Sequence, residues 1–266
     1  FQPSELSKLA VILMLARYFS QRRPRLSFDF KNSLRDFVED LLWPFSLTGL
    51  SIFLIFKQPD LGTAIMVFGI FTVMLYMSGI SSKVFAAFML FLAACVPFGW
   101  HFLKPYQRDR LLVFIDPNHD PLGAGYTIIQ SKIAVGSGQL LGKGWLAGSQ
   151  NQLNFLPERH TDFIFSVVGE EWGLLGGALL VYCCAVLIAC GLQIAVRNKD
   201  RFGQQAAIGI VGIFALQVII NIGMVMGLFP VVGITLPLVS YGRTSLIVFA
   251  VMFGFLLNLG KRRTMF

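Results

Sequence analysis

Apolar runs about as long as a membrane is thick recur along this chain, at 4–20, 41–57, 61–80, 84–103, 163–196, 206–229 and 236–260. A helix rises about 1.5 Å per residue, so roughly 20 residues cross a hydrocarbon core of about 30 Å. In lipid the backbone has no water to bond, which leaves helices packed into a bundle as the way to satisfy it. A composition of 55% hydrophobic and 14% charged residues, with a mean hydropathy of +0.69, excludes a soluble domain of this length. The expected fold is all-α, a polytopic membrane helix bundle of about seven transmembrane helices forming a single domain over 1–266. The first two runs are short for a crossing, and the fifth is long enough to tilt or to project from the bilayer. A chain that opens on Phe1 with the look of a helix start is expected to be a piece lacking an N-terminal part.

Lysine and arginine orient the bundle. Arg17, Arg22, Arg23, Arg25, Lys31 and Arg35 follow the first run, which makes that loop cytoplasmic. Alternation then places Lys83, the group Arg197, Lys199 and Arg201, and the tail Lys261, Arg262 and Arg263 on the same side. Gln2–Glu5, Gln58–Asp60, the long segment 104–162 and the segment 230–243 face outwards. The net charge of +8 is divided among these short blocks, so it reports topology and no nucleic acid is expected as a partner. Segment 21–40 carries a helical apolar stripe at Phe30, Leu34, Phe37, Val38 and Leu41. It reads as a cytoplasmic interfacial segment, with a docking site for a cytoplasmic partner as the alternative. Cys95, Cys183, Cys184 and Cys190 lie in apolar runs without CxxC spacing and are expected to be reduced.

Chemistry gathers on the outer face. Two helix starts there share a form, Gln2-Pro3-Ser4-Glu5 and Gln58-Pro59-Asp60-Leu61-Gly62-Thr63. Proline at the first helical position and an acid in the first turn are sound capping, and a polar cavity holding Glu5 and Asp60 is the functional alternative. The segment 104–162 is too long for a passive connector and too aromatic for disorder. Lys104, Arg108, Arg110, Lys132, Lys143 and Arg159 give it a positive complement, which a bound anion would explain. Pairing with Asp109, Asp116, Asp120, Glu158 and Asp162 is the plainer reading. Gly138 to Lys143 lacks the spacing and the hydroxyl of a phosphate loop, so no nucleotide is inferred.

Asp162 stands out, because it lies where this segment meets the fifth run and water gives way to a low-dielectric bundle. A carboxylate there can act as a base or hold a cation, or can cap the helix starting near Phe163. Ser166 and Glu170 follow at helical four-residue steps, and His160 is placed to steer Asp162 or only to hydrogen-bond. Carboxylates buried in a membrane need partners, so Glu170 and Glu171 mark either a site or a structural pair, with Arg243 as one candidate partner. The turn Pro230–Ser245 interrupts apolar sequence with two prolines and several hydroxyls, as backbone lining a cavity does, or as an ordinary hairpin does.

These motifs, in this order, resemble the SEDS family (shape, elongation, division and sporulation) along essentially the whole chain. The residues that carry the resemblance are Phe1-Gln2-Pro3-Ser4-Glu5, Gln58 to Ala64, Gly125-Tyr126 with Gln130-Ser131, Leu156 to Phe165 with Glu170-Glu171, and Pro230 to Tyr241. Leu156-Pro157-Glu158-Arg159-His160-Thr161-Asp162 looks like the elongation, rod-shape branch; the division branch typically has a smaller residue at Arg159. The chain departs from the family at Gly242-Arg243-Thr244-Ser245, where two glycines and then a small or hydroxyl residue are usual. The resemblance implies a fold of about ten membrane helices, some of them ahead of Phe1, in the bacterial cytoplasmic (inner) membrane with the active site facing outwards. It implies a peptidoglycan glycosyltransferase that polymerises lipid II during cell elongation by inverting transfer with release of polyprenyl pyrophosphate, with Asp162 as the catalytic residue. It also implies a class B penicillin-binding protein, membrane lipid and other elongation-complex proteins as partners, and a divalent cation (Mg or Mn) as a possible cofactor. A lipid II flippase or a non-catalytic scaffold of the same complex are the rival readings.

Overall fold

The computed structural model describes residues 2–22, 41–58, 60–121, 123–152, 155–156 and 158–261. Nine helices longer than one turn occur among them: α1 Pro3–Gln21, α2 Trp43–Lys57, α3 Leu61–Met77, α4 Ser82–Gly99, α5 Pro105–Ile115, α6 Ala124–Ser137, α7 Ile164–Arg197, α8 Arg201–Val225 and α9 Arg243–Lys261. No strand occurs among the described residues, so the all-α membrane bundle is the observed class. Three helices, α7, α8 and α9, are long and apolar enough to cross a membrane, and Trp43–Lys57, Leu61–Met77 and Ser82–Pro97 are shorter apolar helices. The seventh expected run, 236–260, is shortened at its start, since α9 begins only at Arg243. Pro237 and its neighbours leave that stretch without regular helix. The expected interfacial stripe within 21–40 lies outside the described residues, apart from its last member Leu41, which is buried.

The described residues pack as two compact units, 1–102 with 188–214 and 247–266, and 103–187 with 215–246. In the first unit α3 packs against both α1 and α2. Apolar residues on all sides suit helices with neighbours on one face and lipid on the other. Phe45, Phe71 and Phe88 meet edge-on at 5.6, 6.3 and 6.4 Å between ring centres, and Phe214 meets Phe249 and Phe253 at 6.0 and 5.3 Å. Such tilted pairs place ring edges on ring faces, the favourable quadrupole arrangement. The Cα of Gly209 faces Ile12 and Met74 so closely that a side chain there would collide with both. Small residues let membrane helices approach in this way.

The second unit holds α5, α6, the first part of α7 and the last part of α8. The long outer segment is ordered by helices α5 and α6, in keeping with its aromatic content. Helix α7 breaks at Gly173, where φ is 65° and ψ is −159°, a conformation open essentially to glycine alone. The chain at 139–144 lies along the break and takes up the backbone groups around it. Leu174 N donates to Gln139 O (2.8 Å), Leu175 N to Leu140 O (3.2 Å), Lys143 N to Glu170 O (3.0 Å) and Gly144 N to Glu171 O (3.0 Å). Broken helix is tolerated at membrane depth when protein replaces the missing partners.

Candidate active site

The turn ahead of α7 positions Asp162. Glu158 takes a positive φ of 54°, and the amides of Thr161, Asp162 and Phe163 converge on its carbonyl at 3.1, 3.2 and 3.3 Å. Phe163, not Asp162, flanks the first helical residue Ile164, so the capping alternative for Asp162 does not hold. The carboxylate is left free for other work. Burial pushes its pKa up to about 6, the neighbouring Glu158 carboxylate pushes the same way, and Arg110 and the Thr161 hydroxyl oppose them.

Two amides in α8 fasten the second outer loop to this turn. Asn221, fully buried, donates from Nδ2 to Asp162 O (2.8 Å) and to Ile234 O (2.6 Å). Gln217 donates to Thr235 O at 3.0 Å. The Ser240 hydroxyl donates to Thr161 O (2.5 Å) and accepts from Leu236 N (2.7 Å), while Tyr241 N donates to His160 O (2.9 Å). Pro230–Ser245 is therefore no simple hairpin. It is held against the turn that carries Asp162. Gly233, at φ +72°, lies beside the carboxylate: a Cβ there would stand 3.6 Å from Asp162 Oδ2 and 3.8 Å from Arg110 Nη1.

Of the six expected cations, Arg110 comes to Asp162. Half-buried on α5, it donates to Val231 O at 3.4 Å and lowers the carboxyl pKa. Lys104 and Arg108 lie on the same helix, Lys104 exposed at its start. Lys132, exposed on α6, rests against Gly227. Lys143 is bound elsewhere, its Nζ 2.8 Å from Glu170 Oε1. Arg159 donates to His160 Nε2 at 3.1 Å, which agrees with the hydrogen-bonding reading of that imidazole.

Glu170 does not extend the Asp162 site inward. Its fully buried carboxylate accepts from Lys143 Nζ, Ser149 Oγ (3.3 Å) and Gln150 N (3.1 Å), so it fastens the outer segment to α7. Arg243 is not its partner; that guanidinium donates to the Tyr241 hydroxyl at 3.1 Å and covers the same ring. Ser166, between Asp162 and Glu170 on the helix, bonds Ser131 at 2.8 Å, and Ser131 donates to Val225 O at 2.8 Å. Serines at both ends of that chain are fully buried, which ties α6, α7 and α8 together beneath the turn.

Within the first unit the two expected outer helix starts meet. Gln2 Nε2 and Ser4 Oγ donate to Asp60 Oδ2 at 3.0 and 3.2 Å, and Asp60 Oδ1 caps α3 by accepting from Thr63 N at 3.0 Å. One turn below, Glu5 pairs with Lys8 at 2.7 Å. Lys8 is only 1% exposed and lies 5.8 Å from the centre of the Phe249 ring, and Glu5 Oε2 has no hydrogen-bond partner among the described residues. The capping reading holds for Asp60, while Gln2 makes no side-chain cap on α1.

The sequence reading missed Lys8, Gln217 and Asn221. A signal existed for each: Lys8 stands three residues after Glu5 in an apolar run, and Gln217 and Asn221 are four apart in another. Same-face polar pairs inside a membrane span seldom lack a structural partner.

The match to known proteins covers the same residues. The model of the FtsW, RodA and SpoVE cell cycle proteins fits residues 1–265. The peptidoglycan glycosyltransferase MrdB of Escherichia coli (strain K12) is 47% identical over 277 residues, spanning 100% of this chain and 69% of that protein. Stage V sporulation protein E of Bacillus subtilis (strain 168) is 40% identical over 262 residues, spanning 98% of this chain and 68% of the relative. Among solved structures, one from a peptidoglycan synthase complex described as coordinating polymerization and crosslinking superposes with a TM-score of 0.77 at 31% identity, over 100% of this chain and 71% of that one. The rod shape determining protein RodA of Thermus thermophilus superposes with a TM-score of 0.65 at 28% identity, over 100% and 67%. With the family model matched over residues 1–265, the chain belongs to the FtsW, RodA and SpoVE family of cell cycle proteins.

Proposed function

We propose that this chain is a peptidoglycan glycosyltransferase of the elongation type, polymerising lipid II at the outer face of the bacterial cytoplasmic membrane, with Asp162 as its general base. One observation carries the residue assignment. A half-buried carboxyl with its pKa raised to about 6 stands just ahead of a helix long enough to cross a membrane, its backbone carbonyl held by the buried Asn221 amide and its carboxylate beside Arg110.

The chemistry asks for such a group. The acceptor's 4-hydroxyl attacks the anomeric carbon of the lipid-linked donor; a new C–O bond forms as the bond to pyrophosphate breaks and its electron pair departs with polyprenyl pyrophosphate. The hydroxyl is far too weak an acid to ionise beforehand, so the Asp162 carboxylate takes its proton as the bond forms. General-base help of this kind contributes about 10²–10⁴ in rate, most when the base's pKa lies near the working pH. Arg110 is the best-placed cation for the departing negative charge, with Lys104 and Lys132 exposed along α5 and α6. Lys143 and Arg159 already engage protein groups and contribute less. His160 and Glu170 contribute through the framework they hold, His160 by accepting from Arg159 and Glu170 by binding Lys143, while Glu5 and Asp60 order the first unit.

A divalent cation, Mg or Mn, belongs to the proposal as a companion of the pyrophosphate. Among the described residues no three His, Cys, Asp or Glu side chains gather closely enough to hold a metal, so with these residues the ion would be held chiefly by the pyrophosphate. A class B penicillin-binding protein is the proposed partner, supported by the structural likeness to a subunit of a synthase complex.

The test uses the full-length protein with its class B partner and labelled lipid II, with products resolved by length. Wild type makes long glycans, and Asp162→Asn makes none while still forming the complex. Glycans of normal length and rate from the variant would remove Asp162 from the base role.

A further inference from the structure

Within the first unit, three helices end around a cavity of about 290 Å³ that the proposed glycosyl transfer does not use. It is lined by Phe19 near the end of α1, by Met77, Ser78 and Gly79 at the end of α3, and by Arg201, Gln204 and Gln205 at the start of α8. All three helix ends are those that the basic clusters place on the cytoplasmic side, so the cavity lies at the depth of lipid head groups. Nearby charge is mostly positive: Arg22, Lys83, Arg197, Lys199 and Arg201, against Asp200.

The polar groups lining the cavity have unused bonding capacity. Arg201 is exposed and makes no ion pair or hydrogen bond among the described residues, and the same holds for the Gln204 amide. Gln205 is only 7% exposed; its Nε2 donates to Met77 O at 3.3 Å, while its Oε1 has no partner. A buried amide oxygen without a donor is costly. The helix N-terminus itself is not the attraction, because Asp200 already accepts from Phe202 N and Gly203 N at 3.4 and 3.1 Å. What remains is a fork of guanidinium donors, a second amide, and a buried acceptor that needs a hydrogen.

We propose that this cavity binds the head group of an anionic phospholipid of the cytoplasmic leaflet, one that carries a phosphodiester and a free hydroxyl, as phosphatidylglycerol does. The phosphodiester oxygens accept from Arg201 and Gln204, and the head-group hydroxyl supplies the donor that Gln205 Oε1 lacks. Basic pockets at the cytoplasmic ends of membrane helices recognise lipid head groups through such contacts. A choline head group offers no donor and no net negative charge, so it fits poorly. The site rests on the sidedness read from the basic clusters and is independent of the role of Asp162.

The experiment measures binding of dioctanoyl phosphatidylglycerol, dioctanoyl phosphatidylcholine and inorganic phosphate to the full-length protein in neutral detergent, by thermal shift and by native mass spectrometry. Wild type is expected to prefer the glycerol lipid to the choline lipid. Arg201→Ala is expected to weaken the glycerol lipid about tenfold or more, and Gln204→Ala and Lys83→Ala, the latter outside the cavity, to weaken it less. Melting without lipid checks folding, and Arg201→Lys, which keeps the charge but loses the fork, is expected to fall between wild type and Arg201→Ala. Three outcomes would each overturn the proposal: equal binding of both lipids, equal losses for Lys83→Ala and Arg201→Ala, or displacement of the lipid by inorganic phosphate at matching concentration, which would reassign the site to a free anion.

Discussion

The environment of Asp162 makes the acid limb of the pH–rate profile a direct test of the site. Its carboxyl is raised from 3.8 to about 6, first by burial and next by Glu158, against the pull of Arg110. A shift of that size amounts to roughly 3 kcal/mol favouring the neutral form, taken as an upper bound for a half-buried group. Because a base must be ionised to act, polymerisation by the wild type rises with pH, reaches half its plateau near pH 6, and about one unit lower falls to roughly a tenth. Glu158→Gln removes the like charge and moves the limb to lower pH; burial, the larger cause, keeps it above the ordinary aspartate range. Arg110→Met removes the opposing charge and moves the limb to higher pH. Initial rates on labelled lipid II from about pH 4.5 to about pH 8, with the full-length protein and its partner, measure all three. Coincident limbs in wild type, Glu158→Gln and Arg110→Met would refute the electrostatic reasoning, whatever the plateau rates.

Stability gives an independent reading of the same group. The folded pKa lies above the unfolded value, so folding favours the protonated form, and the contribution to stability is full below about pH 4 and is lost as pH rises through about 6. Asp162→Asn is therefore expected to melt higher than wild type near pH 8 and to lose that advantage near pH 4; a constant difference at both pH values would count against a buried charge. Gly173→Ala asks a side chain to adopt φ 65° with its Cβ 2.7 Å from Leu140 O, a cost of about 3 kcal/mol or more, and an unchanged melting temperature in detergent would contradict the break in α7. Lys143→Met leaves the Glu170 carboxylate buried without its cation and should destabilise by about 1–3 kcal/mol. The double variant with Glu170→Gln should recover most of that loss, as a double-mutant melting cycle would reveal. Asn221→Leu removes both bonds that hold Asp162 O and Ile234 O, lowering stability by about 1–3 kcal/mol and the polymerisation rate with it; a normal rate would mean the two outer segments hold their places unaided.

Much of the fold was legible in the chain because membrane residence constrains sequence severely. Length and hydropathy of the runs placed the helices, since an unsatisfied backbone in lipid leaves few alternatives. Pro230–Ser245 was legible only as an interruption: helix was expected from 236, and α9 begins at Arg243. Asp162 was legible by its position at the boundary between a charged segment and an apolar one.

What the chain did by itself determine, then, was the helical class, the places where helices run, and the candidates for chemistry. Pairing among those candidates was decided only in three dimensions. Sequence offered Glu170 as a continuation of the Asp162 site, and the folded chain gives it to Lys143, 27 residues away, because a fully buried carboxylate takes the nearest cation and amide that can follow it out of water. It offered six cations for one anion, and packing brings Arg110 to Asp162 while Lys143 and Arg159 turn to protein groups. It gave no hint that Asn221 would reach across to Asp162 O, a contact set by where α8 passes the turn. Side-chain type and helical period are local properties of a chain, whereas desolvation and charge pairing depend on which helix ends fold together, and those long-range meetings created the site.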